Sequence, residues 1–254
     1  MNRTLIHKEL KSLRWKLLVA FLALVVVTLV MIVLHEQLLE FLPTDQSELP
    51  SFVTSEMLES FGDYTNAMWL NLNDKNLIQI GCILAIVLGI GLLAPEIESE
   101  TITLLLTNGL SRKKVFWTKT IIVIIALASL LLTVSALVVP LSSIFGYTLR
   151  HLRSIPTTLV TVLGLSFVFA VSLLISLFLK DRIWSGIASA LLFGLWSVLG
   201  FWKSTRIFSL FYHMRAADYF FGERSFPWLT ALGFAVATAI VLLLAANRFE
   251  QEEL

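Results

Sequence analysis

Cysteine and histidine are scarce in this 254-residue chain, and their scarcity excludes several kinds of site. The single cysteine, Cys82, lies inside an apolar run, so the chain can form neither an internal disulfide nor a thiolate metal site. The histidines are His7, His35, His151 and His213. None of them belongs to an H-E-x-x-H motif or lies near a G-x-S-x-G nucleophile turn. The sequence therefore disfavours a zinc site and a membrane-embedded hydrolase.

Charged residues are also few, at 15% of the sequence, against about 25% in a soluble domain. The formal net charge is only +1, whereas nucleic-acid binding needs a large clustered positive excess. No nucleic-acid partner is expected. Hydrophobic residues make up 57% of the chain and the mean hydropathy is +0.85, which indicates an integral membrane protein.

The long apolar runs lack Asp, Glu, Lys, Arg and His near their centres. Such residues mark proton relays and ion pathways, so a proton-coupled transporter or an ion channel is disfavoured. The polar content of the runs is mainly small hydroxyls, with glycines that allow close helix approach: Gly89, Gly91, Gly164, Gly186 and Gly194. A path lined by Leu, Phe, Val and Ser suits an amphipathic or lipid-like molecule better than a sugar or an ion. Hydrophobic peptides, peptide antibiotics and lipids all remain open.

Six apolar segments are long enough to cross a bilayer, whose hydrocarbon core is about 30 Å thick. They lie near 15–34, 77–94, 115–139, 156–179, 183–201 and 226–246. Backbone groups in lipid must pair within their own segment, and the alternation typical of a β-barrel is missing from the sequence. The sequence thus predicts an all-α integral membrane protein with six transmembrane helices in one domain, 1–254, and both termini on the same side.

The distribution of Lys and Arg between the loops predicts the orientation. Twelve of the 19 lie on the side of the N-terminus, from Arg3 to Arg248, and seven on the other side, from Lys75 to Arg224. The loop 35–76, on that other side, is acidic. Both termini are therefore expected in the cytoplasm of a bacterial cell, with the protein in the plasma membrane. The first apolar run is followed by His35-Glu36 rather than a cleavage site, so we interpret it as a retained anchor.

The first fifteen residues have the pattern of an amphipathic helix. Ile6, Leu10, Leu13 and Leu17 recur at helical spacing, while Lys8, Lys11, Arg14 and Lys16 occupy much of the remaining circumference. This pattern predicts an interfacial elbow helix at 3–16 before the first span. The alternative is an unstructured positive tail.

Two regions on the predicted external side differ from simple connections. The loop 35–76 is longer than most and has apolar residues at near-helical spacing around 53–61, so part of it is expected to form an amphipathic surface helix. The region 202–226 interleaves aromatic and charged residues. It is too polar to span the membrane and too apolar to leave it, so it is expected to lie at or dip into the interface.

The connection between the second and third spans, "APEIESETITLLLTNGLSRKK" (94–114), carries the most specific pattern. Pro95 suits a helix start, where the helix dipole favours the acidic residues that follow, and Asn108-Gly109 suits a left-handed stop. Ser111 is a candidate N-cap for the next helix. Glu96 and Glu100 share a face and repel each other, so a basic partner would stabilise them. Without a partner, the same residues are explained by the dipole and by the positive-inside rule.

This connection resembles the loop after the second span in permease subunits of ABC-2-type ABC transporters. That loop has an acidic residue, a Gly-Thr pair, a leucine-rich turn, then Pro-x-Ser-Arg and a later Lys. The residues in matching places are Glu96, Thr101, Leu104, Leu105, Leu106, Ser111, Arg112 and Lys119. Glu100 stands at the usual glycine position and Gly109 at the usual proline position. The basic N-terminal segment, the six spans and the final Asn247-Arg248-Phe249 fit the same organisation.

The resemblance implies a homo- or heterodimer of six-span subunits, each of which docks a separate ATPase subunit through a coupling helix in this connection. The implied ATPase-docking residues are Glu96, Glu98, Glu100, Thr101, Leu104, Leu105 and Leu106. The residues implied to anchor the loop at the bilayer are Ser111, Arg112, Lys113, Lys114 and Lys119. It also implies that 202–226 forms short re-entrant helices at an outer gate, although an aromatic belt explains the same residues.

The resemblance implies no catalytic role for this chain, which is therefore not expected to be an enzyme. The sequence contains no G-x-x-x-x-G-K-[ST] phosphate loop, so ATP and Mg²⁺ are expected on the partner ATPase, with no cofactor or metal in this chain. The implied partners are the ATPase, a second permease copy and membrane lipid. The implied function is export of an amphipathic or hydrophobic substrate, and the alternative is a non-transporting scaffold, immunity or sensor component.

Overall fold

The computed structural model describes residues 3–40, 62–94, 111–149 and 153–251, and every regular element in these ranges is helical. In chain order the helices are α1 (Arg3–Glu40), α2 (Tyr64–Trp69), α3 (Leu77–Ile90), α4 (Arg112–Ile144), α5 (Ser154–Leu179), α6 (Arg182–Val198), α7 (Leu210–Arg215), α8 (Ala217–Phe220) and α9 (Trp228–Glu250). A π-helical segment, Leu70–Asn76, joins α2 to α3, and a 3-10 turn, Arg206–Phe208, precedes α7.

Helices occupy all six predicted apolar segments. Five stretches are long and apolar enough to cross a bilayer: Ile6–Glu40, Tyr64–Ile90, Arg112–Ile144, Ser154–Leu179 and Trp228–Glu250. Helix α6 has 17 residues, which at 1.5 Å per residue span about 26 Å, slightly less than the hydrocarbon core. The protein is thus a multi-pass helical membrane protein with five candidate spans in the described ranges, and the sixth span stays a prediction.

Helix α1 runs unbroken from Arg3 to Glu40, so the prediction of a separate elbow helix at 3–16 is wrong. Residues 3–40 contain neither glycine nor proline, and nothing in the sequence interrupts the ladder of backbone hydrogen bonds. The amphipathic pattern belongs to the first turns of this long helix. Leu13 is buried against the bundle, whereas Trp15 is 63% exposed.

The predicted loop 35–76 is also shorter than expected, because both of its ends are helical. Asp63 caps α2, its carboxylate accepting a hydrogen bond from the backbone N–H of Asn66 at 3.0 Å. The helix then continues through the π-helical segment into α3, so the second span starts thirteen residues before its predicted start at 77. Residues 41–61, including the predicted amphipathic surface helix, lie outside the described residues.

Helix α5 is the centre of the bundle and packs against α3, α4, α6, α7 and α9. Its contact with α3 is close because Gly89 has no side chain. A Cβ at Gly89 would lie 2.7 Å from the carbonyl oxygen of Phe169 and 2.9 Å from the backbone nitrogen of Leu173. The predicted role of Gly89 in close helix approach is confirmed. Gly194 on α6 has open space around it and plays no such role.

The region 202–226 folds into the 3-10 turn, α7 and α8, which return to the bundle and pack on α5. Leu210, Met214 and Phe220 are buried by this packing. The hydroxyl of Thr161 on α5 donates to the backbone carbonyl of Met214 at 3.0 Å. The region is therefore tied to the helices, and its re-entrant position in a bilayer stays a prediction.

Candidate functional site at the terminal face

The candidate site lies at the end of the bundle where α1 begins and α9 ends. We call this end the terminal face and define it by residues 3–16, 91–94, 111–119, 179–182 and 247–251. A buried ion pair crosses it: Nζ of Lys119 on α4 lies 2.9 Å from Oε1 of Glu9 on α1. The two side chains are 2% and 6% exposed. The same Nζ donates to the carbonyl oxygen of Leu92 at 3.3 Å.

This ion pair joins three parts of the chain at one point. Helix α1 packs on both α3 and α4, which brings Glu9 beside Lys119. Leu92, Leu93 and Ala94, which follow α3, are all buried. Two charges taken out of water are tolerated because they pair with each other and because a further hydrogen bond engages the ammonium group. The backbone that leads into the connection 95–110 is therefore fixed to α1 and α4.

The other end of that connection is fixed as well. Ser111 caps α4, its hydroxyl oxygen accepting from the backbone N–H of Lys114 at 3.3 Å, so the predicted N-cap is confirmed. Nη1 of Arg112 donates to the carbonyl oxygen of Glu250 at 3.4 Å, which ties the start of α4 to the end of α9. Lys113 and Lys114 are exposed and border an open depression with Trp117.

The predicted site residues therefore fall into two groups. Glu96, Glu98, Glu100, Thr101, Leu104, Leu105 and Leu106 lie outside the described residues. The described group comprises Ser111, Arg112, Lys113, Lys114 and Lys119, of which Lys119 points into the protein and is buried. Sequence reasoning missed Glu9 as its partner. The available signal was that Glu9 is the one acidic residue among the first sixteen, which otherwise carry only basic charges.

Further cations surround the ion pair. Lys16 on α1 lies within electrostatic reach of Glu9, Lys119 and Arg182, and its Nζ lies 3.0 Å from where a Cβ of Gly91 would be. The guanidinium of Arg248 stacks over the ring of Phe178, 5.4 Å from its centroid. The terminal face is thus rich in positive charge that the helices position, which suits contact with lipid phosphates.

The opposite end, which we call the distal face, has its own interhelical contacts. We define it by residues 35–40, 62–76, 145–149, 153 and 199–227. Asp74 in the π-helical segment pairs with Arg215 at the end of α7, with Nε to Oδ1 at 3.1 Å and Nη1 to Oδ2 at 3.2 Å. Asn73 donates to Thr158 at 2.8 Å, and Thr158 donates to Ser135 at 2.9 Å.

Three aromatic side chains pack together on the distal face, near the end of α1. The rings of Tyr64 and Tyr147 stack at 4.1 Å, and His35 meets both edge-on. The hydroxyl of Tyr64 also bonds to that of Ser142 at 2.7 Å. Partial burial, together with the hydrogen bond to Glu36 and the charge of its carboxylate, raises the pKa of Tyr147 above its usual range. Across the described ranges, His, Cys, Asp and Glu form no group of three that could hold a metal ion.

The sequence matches a known family over nearly its full length. The family model described as ABC-2 family transporter protein matches residues 3–254. The chain belongs to the ABC-2 transporter family. Searches of the curated proteins and of the solved structures gave no match. As an ABC-2 family member it is a membrane component of a transporter rather than a catalyst, and membership implies association with an ABC ATPase.

Proposed function

We propose that this protein is the permease subunit of an ABC-2-type exporter for an amphipathic or hydrophobic substrate, powered by ATP hydrolysis in a separate subunit. The observation that carries the proposal is the buried Glu9–Lys119 ion pair, which holds the backbone at Leu92. The ion pair fixes the backbone just before the connection 95–110 to the two long helices α1 and α4. A force applied to that connection would then move α1, α3 and α4 together.

In this proposal the connection 95–110 is the coupling helix. Glu96, Glu98 and Glu100 contact basic residues of the ATPase, Thr101 lies beside them, and Leu104, Leu105 and Leu106 fill an apolar groove there. ATP and Mg²⁺ bind to the ATPase. Ser111 and Arg112 hold the return of the chain through the cap and the contact with Glu250, while Lys113 and Lys114 face lipid phosphates.

The substrate class is supported by the interior of the bundle. Within the described ranges the buried acidic and basic residues, Glu9 and Lys119, lie near the starts of their helices, and the middle of the bundle holds hydroxyl and apolar side chains. Such an interior offers few groups for a strongly hydrated solute and many for an apolar one. Hydrophobic peptides, peptide antibiotics and lipids are the molecules to test.

A second copy is part of the proposed assembly. Apolar side chains on α9 stay open to the surroundings, with Leu229 87% exposed and Leu232 and Val236 more than half exposed. Comparable surfaces on α1 and α6 expose Val19 and Leu195. These faces are available to lipid and to a second permease subunit. Two permease subunits with their ATPases would form the complete transporter.

Co-purification tests the docking. The permease is expressed with its ATPase, and Glu96→Lys with Glu100→Lys is compared with the charge-matched control Glu56→Lys with Glu59→Lys. We expect the first double variant to lose the ATPase and the control to keep it. Equal recovery of the ATPase with both would contradict the docking role of the acidic residues.

Reconstitution tests the transport. The intact complex in proteoliposomes is offered hydrophobic peptides, peptide antibiotics and lipids, and ATP turnover and substrate movement are measured. We expect at least one compound to raise turnover and to cross the membrane in the outward direction. An intact complex that moves none of them and shows no stimulation would favour the scaffold, immunity or sensor alternative.

A further inference from the structure

A large groove opens on the distal face beside the start of α9. Its volume is about 860 Å³, and its lining includes Lys203, Arg206, Tyr212, Tyr219, Arg224 and Trp228. Aromatic and cationic side chains together are typical of positions at the headgroup level of a bilayer. The groove lies at the end of the candidate span Trp228–Glu250, where that level is expected.

The charge of the groove is unbalanced. Arg224 pairs with Asp218, with 3.5 Å between Nε and Oδ2, which leaves two cations on the rim. Within the described part of the chain, Lys203 and Arg206 form no ion pair with a carboxylate. Arg206 instead lies over the ring of Tyr212, 5.1 Å from its centroid, which fixes the guanidinium at the rim. The rim is therefore complementary to an anion.

A second, apolar groove of about 360 Å³ continues from the first one along α9. His213, Leu229 and Thr230 line both grooves, so the two spaces meet. The walls of the second groove include Phe167, Trp196 and Phe234, while Leu229, Gly233 and Ala237 form one face of α9 at four-residue spacing. Gly233 leaves its part of the groove open, since a Cβ there would meet nothing within 4 Å.

The walls are held in place by contacts among the lining residues and by contacts of α7 with its neighbours. Nε1 of Trp196 donates to the carbonyl oxygen of Phe208 at 2.7 Å, and its ring meets Phe167 edge-on at 6.2 Å. Helix α7, which carries Tyr212 and His213, is fixed at Met214 by Thr161 and at Arg215 by Asp74. The two grooves are therefore formed before any ligand arrives, which lowers the entropic cost of binding.

We propose that the joined grooves bind one anionic phospholipid, with its phosphate between Lys203 and Arg206 and an acyl chain along α9 beside Gly233. A cationic rim followed by an apolar groove fits a molecule with an anionic head group and an acyl chain. The site lies on the distal face, away from the terminal face that leads into the ATPase-docking connection. Lipid binding there needs no ATP, so the proposal goes beyond the proposed transport function. Its ligand is a lipid of the bilayer itself.

The test measures lipid retention by the purified full chain with native mass spectrometry, using phosphatidylglycerol, phosphatidylcholine of the same acyl chains, and glycerol 3-phosphate as the head alone. We expect phosphatidylglycerol to bind most tightly. Lys203→Gln with Arg206→Gln should lower its affinity at least about tenfold, since each cation near a phosphate contributes about fivefold. Gly233→Leu should fill the apolar groove and lower retention of both lipids.

Gly194→Leu is the matched control, because Gly194 also lies exposed in a helix with nothing within 4 Å of its Cβ position and lines neither groove. It should leave retention unchanged, and unfolding temperatures of the four proteins should agree. Equal affinity for the two lipids, equal effects of Gly233→Leu and Gly194→Leu, or equally tight binding of glycerol 3-phosphate would overturn the proposal. The proposal would also be overturned if Gly233→Leu abolished a dimer of the chain and left lipid retention unchanged, because the grooves would then belong to the contact with a second copy.

Discussion

The ammonium group of Lys119 lies 2.9 Å from the carboxylate of Glu9, 110 residues earlier in the chain, and both side chains are almost completely buried. The pair lies where the chain leaves α3 for the connection 95–110, and the Lys119 ammonium also donates to the carbonyl oxygen of Leu92, between α3 and that connection. A buried pair of this kind adds little net stability compared with apolar residues, but it imposes a specific geometry when both partners are present. Here that geometry sets the position of the connection.

Removing one partner of this ion pair should destabilise the protein strongly. Lys119→Met leaves the Glu9 carboxylate buried without its cation, which costs about 3–5 kcal/mol, whereas Lys119→Met combined with Glu9→Leu removes both charges and should restore most of the loss. Thermal unfolding in detergent measures the effect. Lys113→Met, at an exposed position of the same helix, is the control and should change little. If the stability losses of the two single variants added up in the double variant, the two residues would not interact.

The contact between Asp74 and Arg215 should hold α7 to the second long helix. Because the side chains are 18% and 35% exposed, solvent screening limits the contribution of the ion pair to about 1 kcal/mol. Asp74→Arg alone should lower the unfolding temperature more than neutral Asp74→Asn, since it places two cations together. The exchange Asp74→Arg with Arg215→Asp should recover most of the loss. No recovery in the exchanged variant would mean that the pair is not formed.

Gly89 should tolerate no side chain. A Cβ there would press on the backbone of α5 at Phe169 and Leu173, which cannot move aside as a flexible side chain could. We expect Gly89→Ala to lower stability by about 1–3 kcal/mol through overpacking. Gly194→Ala, in open space on α6, should raise stability by up to about 1 kcal/mol because alanine favours the helix. Equal effects of the two substitutions, measured by thermal unfolding, would contradict the close packing of α3 on α5.

Local patterns predicted the helices well but not their ends. Long apolar runs specify membrane helices because lipid leaves the backbone no other partner, and the cap at Ser111 follows from its residue type and position. The continuity of α1 was readable from the lack of glycine and proline in 3–40, yet the charge pattern favoured a break. The earlier start at Tyr64 was signalled by Asp63, whose capping role depends on a helix that is too polar at its start to be identified by hydropathy.

The contacts of the candidate site could not be predicted in the same way. Glu9 pairs with Lys119 and Asp74 with Arg215 only because the helices that carry them pack side by side, and periodicity within one helix contains no information about its neighbours. The grooves beside α9 have the same origin, since Lys203 and Gly233 come together with Trp196 through the return of α7 onto α5. The family resemblance nevertheless identified Lys119, and the residue types identified the aromatic region 202–226, as places to examine.

Site-directed cross-linking tests the coupling role of the connection 95–110 most directly. In a Cys82→Ala background, a photoactivatable reagent is attached at Leu105→Cys or, as the control on the distal face, at Trp202→Cys, and each permease is expressed with its ATPase. We predict a covalent permease–ATPase product from Leu105→Cys and none from Trp202→Cys. An ATPase that co-purifies but never cross-links to Leu105→Cys, or labelling of that cysteine from outside intact cells, would contradict the proposed coupling.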